Sequence, residues 1–472
     1  MNSTTHRKVP LSQKVAFGVG MLANQMFPAA LGVFLVVLVQ TLGFPPLAWG
    51  LIFFAPRAFD AITDPIMGYI SDNTRSKWGR RRPYVFIGGI VLGISYIAMW
   101  QLYRENTLTF NFIYFMGFSL LFYLGLTIFS VPYVAMGYEM SDDFHERTSI
   151  MAVAQFIGQL AWVIAPWFWV ILYDPSWFPD ADAGVRTLSI WVAIPCALMA
   201  MTPALFIRSE STLDRDDFKP INLKAISNSL IEILRATVQA FSIRQFRQLA
   251  FATFLVFNSF NIIASFTFFI IVYHLFDGDA EAAGKWPAMH GCVGALFTTF
   301  LVIPVVAKVS KTIGKKKTFI ITQGISIIGY VLFWFLFIPG TPSAFLYALP
   351  FHSFGIGGLF TLMMSMTADV CDIDEYNSGE RREGIIGAVY WWMVKFGHAF
   401  AGLLGGVILW LVDFDPDAAT EASLTGLRLF YSFLPIIGVL GAIAVMWRYD
   451  ITEEKANEIR KALAERRTAE QS

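Results

Sequence analysis

Long apolar stretches alternate with short polar breaks along the whole chain. The stretches run near twenty residues or more, the length a helix needs to cross the hydrocarbon of a bilayer. The pattern predicts twelve membrane-spanning helices, near residues 15–42, 46–71, 83–102, 108–137, 149–173, 187–207, 248–275, 286–308, 318–338, 343–368, 385–412 and 426–447. Residues 209–246 form the longest polar interruption and sit at mid-chain. Thr452 to Ser472 carry charge at helical spacing, the pattern of a segment lying in water or at the membrane surface. The first run, Val15 to Leu42, lacks the short core and small-residue cleavage site of a signal peptide and is long enough to stay as an anchor. The chain thus reads as an all-α membrane protein: a six-helix half at 1–208, a linker at 209–246, a second six-helix half at 247–448 and a tail at 449–472.

Composition narrows the class. Hydrophobic residues make up 56% of the 472 and charged residues only 15%, where a soluble surface of this size needs roughly 25% charged. That excludes a soluble enzyme, a disordered scaffold and a disulfide-rich secreted domain. Lys+Arg and Asp+Glu both number 35, so the charge balance points to no nucleic-acid partner. Cys196, Cys292 and Cys371 fall in or beside apolar segments without metal-ligand spacing and read as packing residues. Gly18, Gly20 and similar glycines fit close helix packing. No nucleophile–base constellation and no phosphate-binding glycine loop points to an enzyme.

Lysine and arginine placement sets the expected orientation. With the amino terminus cytoplasmic, that side collects 29 of them and the opposite loops four: Arg104, Arg186, Lys285 and Arg428. Both termini are then expected in the cytoplasm of a bacterial inner-membrane protein. The chain also repeats itself. Ser-Lys-Trp-Gly-Arg-Arg-Arg at 76–82 follows span two, and Ser-Lys-Thr-Ile-Gly-Lys-Lys-Lys at 310–317 follows span eight; their glycines, Gly79 and Gly314, are 235 apart. Glu146-Arg147 and Glu380-Arg381 are 234 apart. Two six-helix halves in the same orientation are the parallel-repeat plan of major facilitator transporters.

Ionisable residues inside spans cost about 2.5–3.5 kcal/mol each on insertion scales, so each needs a partner or a purpose. In span two, Arg57, Asp60 and Asp64 are spaced i, i+3, i+7 and share a helix face. Asp60 and Asp64 are i, i+4 neighbours, roughly 5–6 Å apart, and two carboxylates so close repel unless a proton or a cation sits between them. The competing reading is an Arg57/Asp60 salt bridge with Asp64 reaching a water-filled mouth. Lys395 lies ten residues into span eleven, too deep to snorkel, so it is expected to meet a carboxylate. Asp60, Asp64 and Lys395 sum to −1, which one monovalent cation neutralises; if Arg57 joins them the set is already neutral. His398, one turn on, reads as packing more readily than as a proton carrier.

At the cytoplasmic end of span two, Gly68, Asp72 and Arg75, with Arg80, Arg81 and Arg82, make a charge cluster that suits a gate formed in one state and broken in the other; it also serves as a positive-inside anchor. Asn24, Gln25, Ser130, Tyr133, Gln155, Phe360, Tyr390, Trp391 and Trp392 are polar or aromatic at a depth that suits solute contact. Singly, each reads more readily as core or lipid-facing than as ligand-binding.

The stretch Arg57-Ala58-Phe59-Asp60-Ala61-Ile62-Thr63-Asp64-Pro65, with Thr74 to Arg80, Val131-Pro132-Tyr133, Ala368 to Asp372 and Met393-Val394-Lys395, resembles the glycoside–pentoside–hexuronide:cation symporters, the family of the melibiose permease. The resemblance covers nearly the whole chain. It implies that Asp60 and Asp64 form a cation site with Lys395 beside it, that the partners are a small-molecule solute and a monovalent cation, Na⁺ or H⁺, and that no cofactor beyond the coupling ion is used. The departures fall on the sugar-grasping positions: Gln25 stands for a span-one aspartate, Ser130 for a span-four aspartate, Gln155 for a span-five arginine, Phe360 for a span-ten tryptophan and Trp391 for a span-eleven threonine. The family also resembles animal sodium-dependent lysolipid symporters, which keep the charged trio around a greasier cavity.

The expected function is secondary active symport of a sugar or glycoside with Na⁺ or H⁺ by alternating access. Asp60 and Asp64 would hold the cation, Lys395 and Arg57 would balance charge, and Gln25, Ser130, Tyr133, Gln155, Phe360 and Trp391 would contact the solute. The alternatives are a cation-coupled transporter of an amphipathic, lysolipid-like solute and, from another class, a non-transporting membrane sensor. A monomer is sufficient for such a fold.

Overall fold

Proline placement and side-chain caps set several helix starts. Pro46 opens its helix at the first position, where a missing N–H costs nothing; Thr107 accepts from the backbone N–H of Phe110 at 3.2 Å; Thr420 and Ser423 form a reciprocal capping box. The computed structural model describes residues 9–141, 144–209, 211–213, 220–379 and 383–471. Within them the chain is helical: α1 Leu11–Gln40, α2 Pro46–Asp72, α3 Arg82–Met99, α4 Leu108–Glu139, α5 Phe144–Ile164, α6 Phe168–Tyr173, α7 Ala181–Phe206, α8 Leu223–Ser242, α9 Arg244–Phe269, α10 Ala280–Ala283, α11 Trp286–Phe297, α12 Ile303–Ile313, α13 Lys315–Leu336, α14 Leu349–Ser378, α15 Glu383–Leu411, α16 Glu421–Trp447 and α17 Glu453–Gln471. Wider π-type turns at Ile270–Leu275 and Thr298–Val302 extend α9 and join α11 to α12.

Among the described residues, eleven helical segments are long and apolar enough to cross a membrane. The remaining predicted span, α2, is a continuous 27-residue helix whose own Arg57, Asp60 and Asp64 interrupt its apolarity. The observed helices match the predicted spans to within six residues at their ends, with one larger difference. The tenth runs on to Ser378, ten residues past its predicted end; of the acids in that extension, Asp369 is buried against Lys315 (2.6 Å) and Arg460, and Asp372 also meets Arg460. Glu380 and Arg381, half of the second repeat match, lie outside the described residues.

Two compact units emerge, Met1–Ile231 and Glu232–Ser472. In the first, α1 packs on α5 and α7, α3 on α4 and α7, and α2 on α4. In the second, α9 packs on α15 and α16, α13 on α14 and α16, and α11 and α12 on α14. The pairings recur in the same chain order, as a repeat requires. The repeated basic motif has a conformational counterpart: Gly79 and Gly314 adopt φ of +81° and +83°, the left-handed region that side chains disfavour. Close helix crossings recur as well. A Cβ on Gly88 would lie 2.5 Å from the backbone N of Phe129, and one on Gly329 2.4 Å from that of His352, so α3 meets α4, and α13 meets α14, backbone to backbone.

The charged tail is a helix that packs one face on the second unit. Ala456, Ile459 and Leu463, one face of α17, are buried in the core of the second unit with Val370 and Ile373 of α14, and Arg460 adds contacts to Asp369 and Asp372. The half-exposed Arg460 contributes little; the apolar seam does the holding. Arg460→Gln is expected to cost about 0.5–1 kcal/mol and leave the tail docked. Leu463→Asp, which places a charge in the seam, is expected to free it. Limited trypsinolysis of the solubilised protein checks both, and a Leu463→Asp tail as protected as the parent's would show that the seam does not hold it.

Candidate cation and solute site

The paired aspartates of α2 face α4. Asp60 is only 4% exposed, and its Oδ1 accepts from the Thr127 hydroxyl at 2.7 Å. The same hydroxyl lies 3.1 Å from Asp64 Oδ1 and 3.1 Å from the Thr63 hydroxyl, while Thr63 also reaches the carbonyls of Phe59 and Asp60 at 3.2 Å. Thr127 has one proton to give. It cannot serve both carboxylates at once, so the cluster holds more acceptor oxygens than hydroxyl protons. Oxygens grouped in this way are the donor type that a proton or a small hard cation uses. Spacing on one helix brings Asp60, Thr63 and Asp64 together; the α2–α4 packing adds Thr127.

Arg57 turns back along α2. Its Nη1 donates to the Phe53 carbonyl at 3.1 Å, and its guanidinium lies 5.0 Å from the Phe53 ring centre and 5.8 Å from that of Tyr123, a cation–π setting for a partly buried charge. Lys395 lies on α15, part-buried, in the second unit. His398 directs Nδ1 to the Val394 carbonyl at 3.2 Å and packs its ring 5.2 Å from that of Phe257, the setting of a packing residue.

The expected solute residues divide. Tyr133 is fully buried, stacked between Phe17 and Phe129, with its hydroxyl donating to the Phe17 carbonyl at 2.5 Å; it ties α4 to α1. Tyr390 is likewise buried. Gln25 accepts from Trp162 Nε1 at 3.2 Å, Ser130 is half-buried, and Gln155 is exposed. Phe360, edge-on to Phe257 at 5.3 Å, and Trp391, edge-on to Tyr390 at 5.8 Å, are each close to half exposed.

The charge cluster after α2 closes on a residue absent from the sequence reading. Arg80 Nη2 reaches Glu139 Oε1 at 2.7 Å; Arg81 pairs with Asp72 and with Glu139 at 3.1 Å, and donates to Ser71 at 2.6 Å. Gly68 leaves only ordinary contact distance to Val131, and Arg75 is exposed. The second unit repeats the device: Lys315, from its own basic motif, meets Asp369 on α14, as Arg80 and Arg81 meet Glu139 at the end of α4. Thr63, Thr127 and Glu139 were missed for one reason. Their signal is a partner on another helix, and a lone Thr inside a span usually bonds its own backbone.

Membrane-length helices in two like units, with Asp60 buried in a span, define a polytopic membrane protein, and its family makes it a transporter. The chain belongs to the MFS/sugar transport protein family, whose model matches residues 16–453. It is 25% identical to the uncharacterized symporter YnaJ of Bacillus subtilis (strain 168), over 99% of this chain and 97% of that one. It is also 25% identical to the glucuronide carrier protein homolog of Escherichia coli (strain K12), over 97% and 96%. The inward open structure of the E. coli xylose transporter XylE matches with a TM-score of 0.65 at 14% identity, over 96% of this chain and 99% of that one. The fold is the major facilitator fold, and the protein is integral to the membrane.

Proposed function

We propose that this transporter moves a sugar or glycoside by symport with Na⁺ or H⁺, and that Asp60 and Asp64, with Thr63 and Thr127, hold the coupling cation. One observation carries the reading: a single Thr127 hydroxyl stands between two carboxylates inside a membrane span. Asp60 and Asp64 both project from α2 of the first unit, so the proposed cation ligands come from two helices of one compact unit. The relative described as a glucuronide carrier homolog supports a glycoside-like solute. Gln25, Ser130 and Gln155 in the first unit, and Phe360 and Trp391 in the second, are the proposed solute contacts. The linker and both termini are proposed to face the cytoplasm of a bacterial cell, on the excess of Lys and Arg there.

A second reading, an amphipathic solute, is favoured by the half-exposed Phe360 and Trp391 and by the uncharged Gln25, Ser130 and Gln155. The deciding experiment is uptake of radiolabelled glycosides, pentosides and hexuronides into proteoliposomes under an imposed Na⁺ gradient, then a pH gradient, with lysolipid as competitor. Gradient-driven uptake that is lost in Asp64→Asn is the expected outcome. Inhibition by lysolipid but by no sugar would move the solute class and leave the cation site standing. Absence of any cation-dependent flux would favour a sensor.

A further inference from the structure

The linker carries a feature that the transport reading does not use. Helix α8 is strongly amphipathic: Leu223, Leu230, Leu234, Val238 and Phe241 recur at spacings of seven, four, four and three and form one stripe. Lys224 and Arg235, eleven apart, share one flank, and Glu232 lies on the far side. The last turn enters the core of the second unit through Ala240 and Phe241. Upstream of it, Leu223, Leu234 and Val238 are 87%, 57% and 72% exposed. A 20-residue helix does not hold such a face in water without something to cover it.

Chain continuity identifies the cover. Both ends of α8 are held where membrane spans leave the bilayer. Ser242 is separated from the span beginning at Arg244 by one residue, and Arg244 and Arg247 are exposed in its first turn. Two residues ahead of Asn222, whose side chain accepts from Ala225 N at 2.8 Å to start the helix, the Pro220 carbonyl accepts from the Tyr69 hydroxyl at 3.2 Å, in the last turn of α2. Further upstream, Thr212 pairs with the backbone of Ser76, in the loop after α2, at 3.0 and 3.1 Å. By span count, the end of α2 and the start of α9 emerge on the same face. A helix about 30 Å long, tethered at both ends to that face, runs along it. We propose that α8 lies in the interface of this leaflet, its Leu223–Leu234–Val238 stripe among the acyl chains and Lys224 and Arg235 against anionic headgroups. The inference rests on the membrane assignment and not on the solute or the coupling ion.

The test uses the full-length protein in vesicles of phosphatidylcholine and of phosphatidylcholine with phosphatidylglycerol. Cys196, Cys292 and Cys371 are buried, so an environment-sensitive fluorophore can be placed on Leu234→Cys or, as the polar-face control, Asn228→Cys. The label at 234 is expected to be quenched by spin-labelled lipid and shielded from aqueous iodide at least about threefold more than the label at 228. Equal iodide access at the two positions overturns the proposal. So does shielding without lipid quenching, which would mean that a protein or a second copy covers the stripe. Phosphatidylglycerol is expected to increase lipid quenching, and Lys224→Gln/Arg235→Gln to remove the increase. No increase in the parent, or its survival in the double variant, overturns the headgroup contact.

Discussion

Asp60→Asn is expected to abolish accumulation of solute against a gradient while leaving the protein folded and inserted. The substitution keeps the shape of the side chain, so the α2–α4 packing around it survives. It removes the carboxylate charge from a buried position and replaces one of the two carboxylate oxygens with an amide nitrogen, which cannot ligate a cation. Charge-assisted contacts of this kind are worth about 1.5–3 kcal/mol, so affinity for the coupling cation should fall about 10- to 150-fold. Coupling depends on the cation binding one state of the transporter better than the other; once that difference is gone, a gradient of the ion shifts nothing. Solute is then expected to equilibrate, with internal and external concentrations approaching one another in proteoliposomes that carry an imposed gradient. Full concentrative uptake by Asp60→Asn would sink the cation-site assignment, whatever the solute.

Apolar run length announced the helices, because a bilayer demands it and nothing in loops or soluble cores imitates twelve such runs. Spacing alone placed Asp60 and Asp64 on one face of α2, since the helical period fixes neighbours within an element. What spacing cannot report is the partner across a helix crossing. Thr127 stands out in no pattern of α4, and it enters the cluster because α4 is brought against α2; the backbone contact of Gly88 with Phe129, two residues further on, belongs to the same packing of α4. Tyr133 shows the same limit: polarity at a suitable depth does not say that a hydroxyl meets, as here, the Phe17 carbonyl. The tail is a different case. Its charges are abundant, yet Ala456, Ile459 and Leu463 make a narrow stripe that suffices once α14 offers Val370 and Ile373. The amphipathicity of α8 is hidden by averaging, since a segment that mixes polar and apolar residues shows its stripe only when its period is resolved.

Thr127→Val carries the second large effect, and it separates the two coupling ions. Valine matches threonine in shape but offers a methyl group where the hydroxyl stood between the carboxylates. A bound Na⁺ needs oxygen ligands on several sides, and the Thr127 oxygen is within reach of both Asp60 and Asp64, so its loss should raise the Na⁺ concentration for half-maximal uptake about 10- to 150-fold, the equivalent of about 1.5–3 kcal/mol. Thr127→Ser, which keeps the oxygen, should stay close to the parent. A proton is different, because it rests on a carboxylate and needs no third ligand. Uptake driven by a pH gradient is therefore expected to survive in the valine variant with at most a severalfold change. Titrating Na⁺ in the parent, the serine and the valine variants, with thermal unfolding to verify that all three are folded, makes the comparison. Equal Na⁺ dependence in all three would remove Thr127 from the site. A loss shared by valine and serine would assign the residue to packing, because only the methyl group and not the oxygen distinguishes threonine from serine.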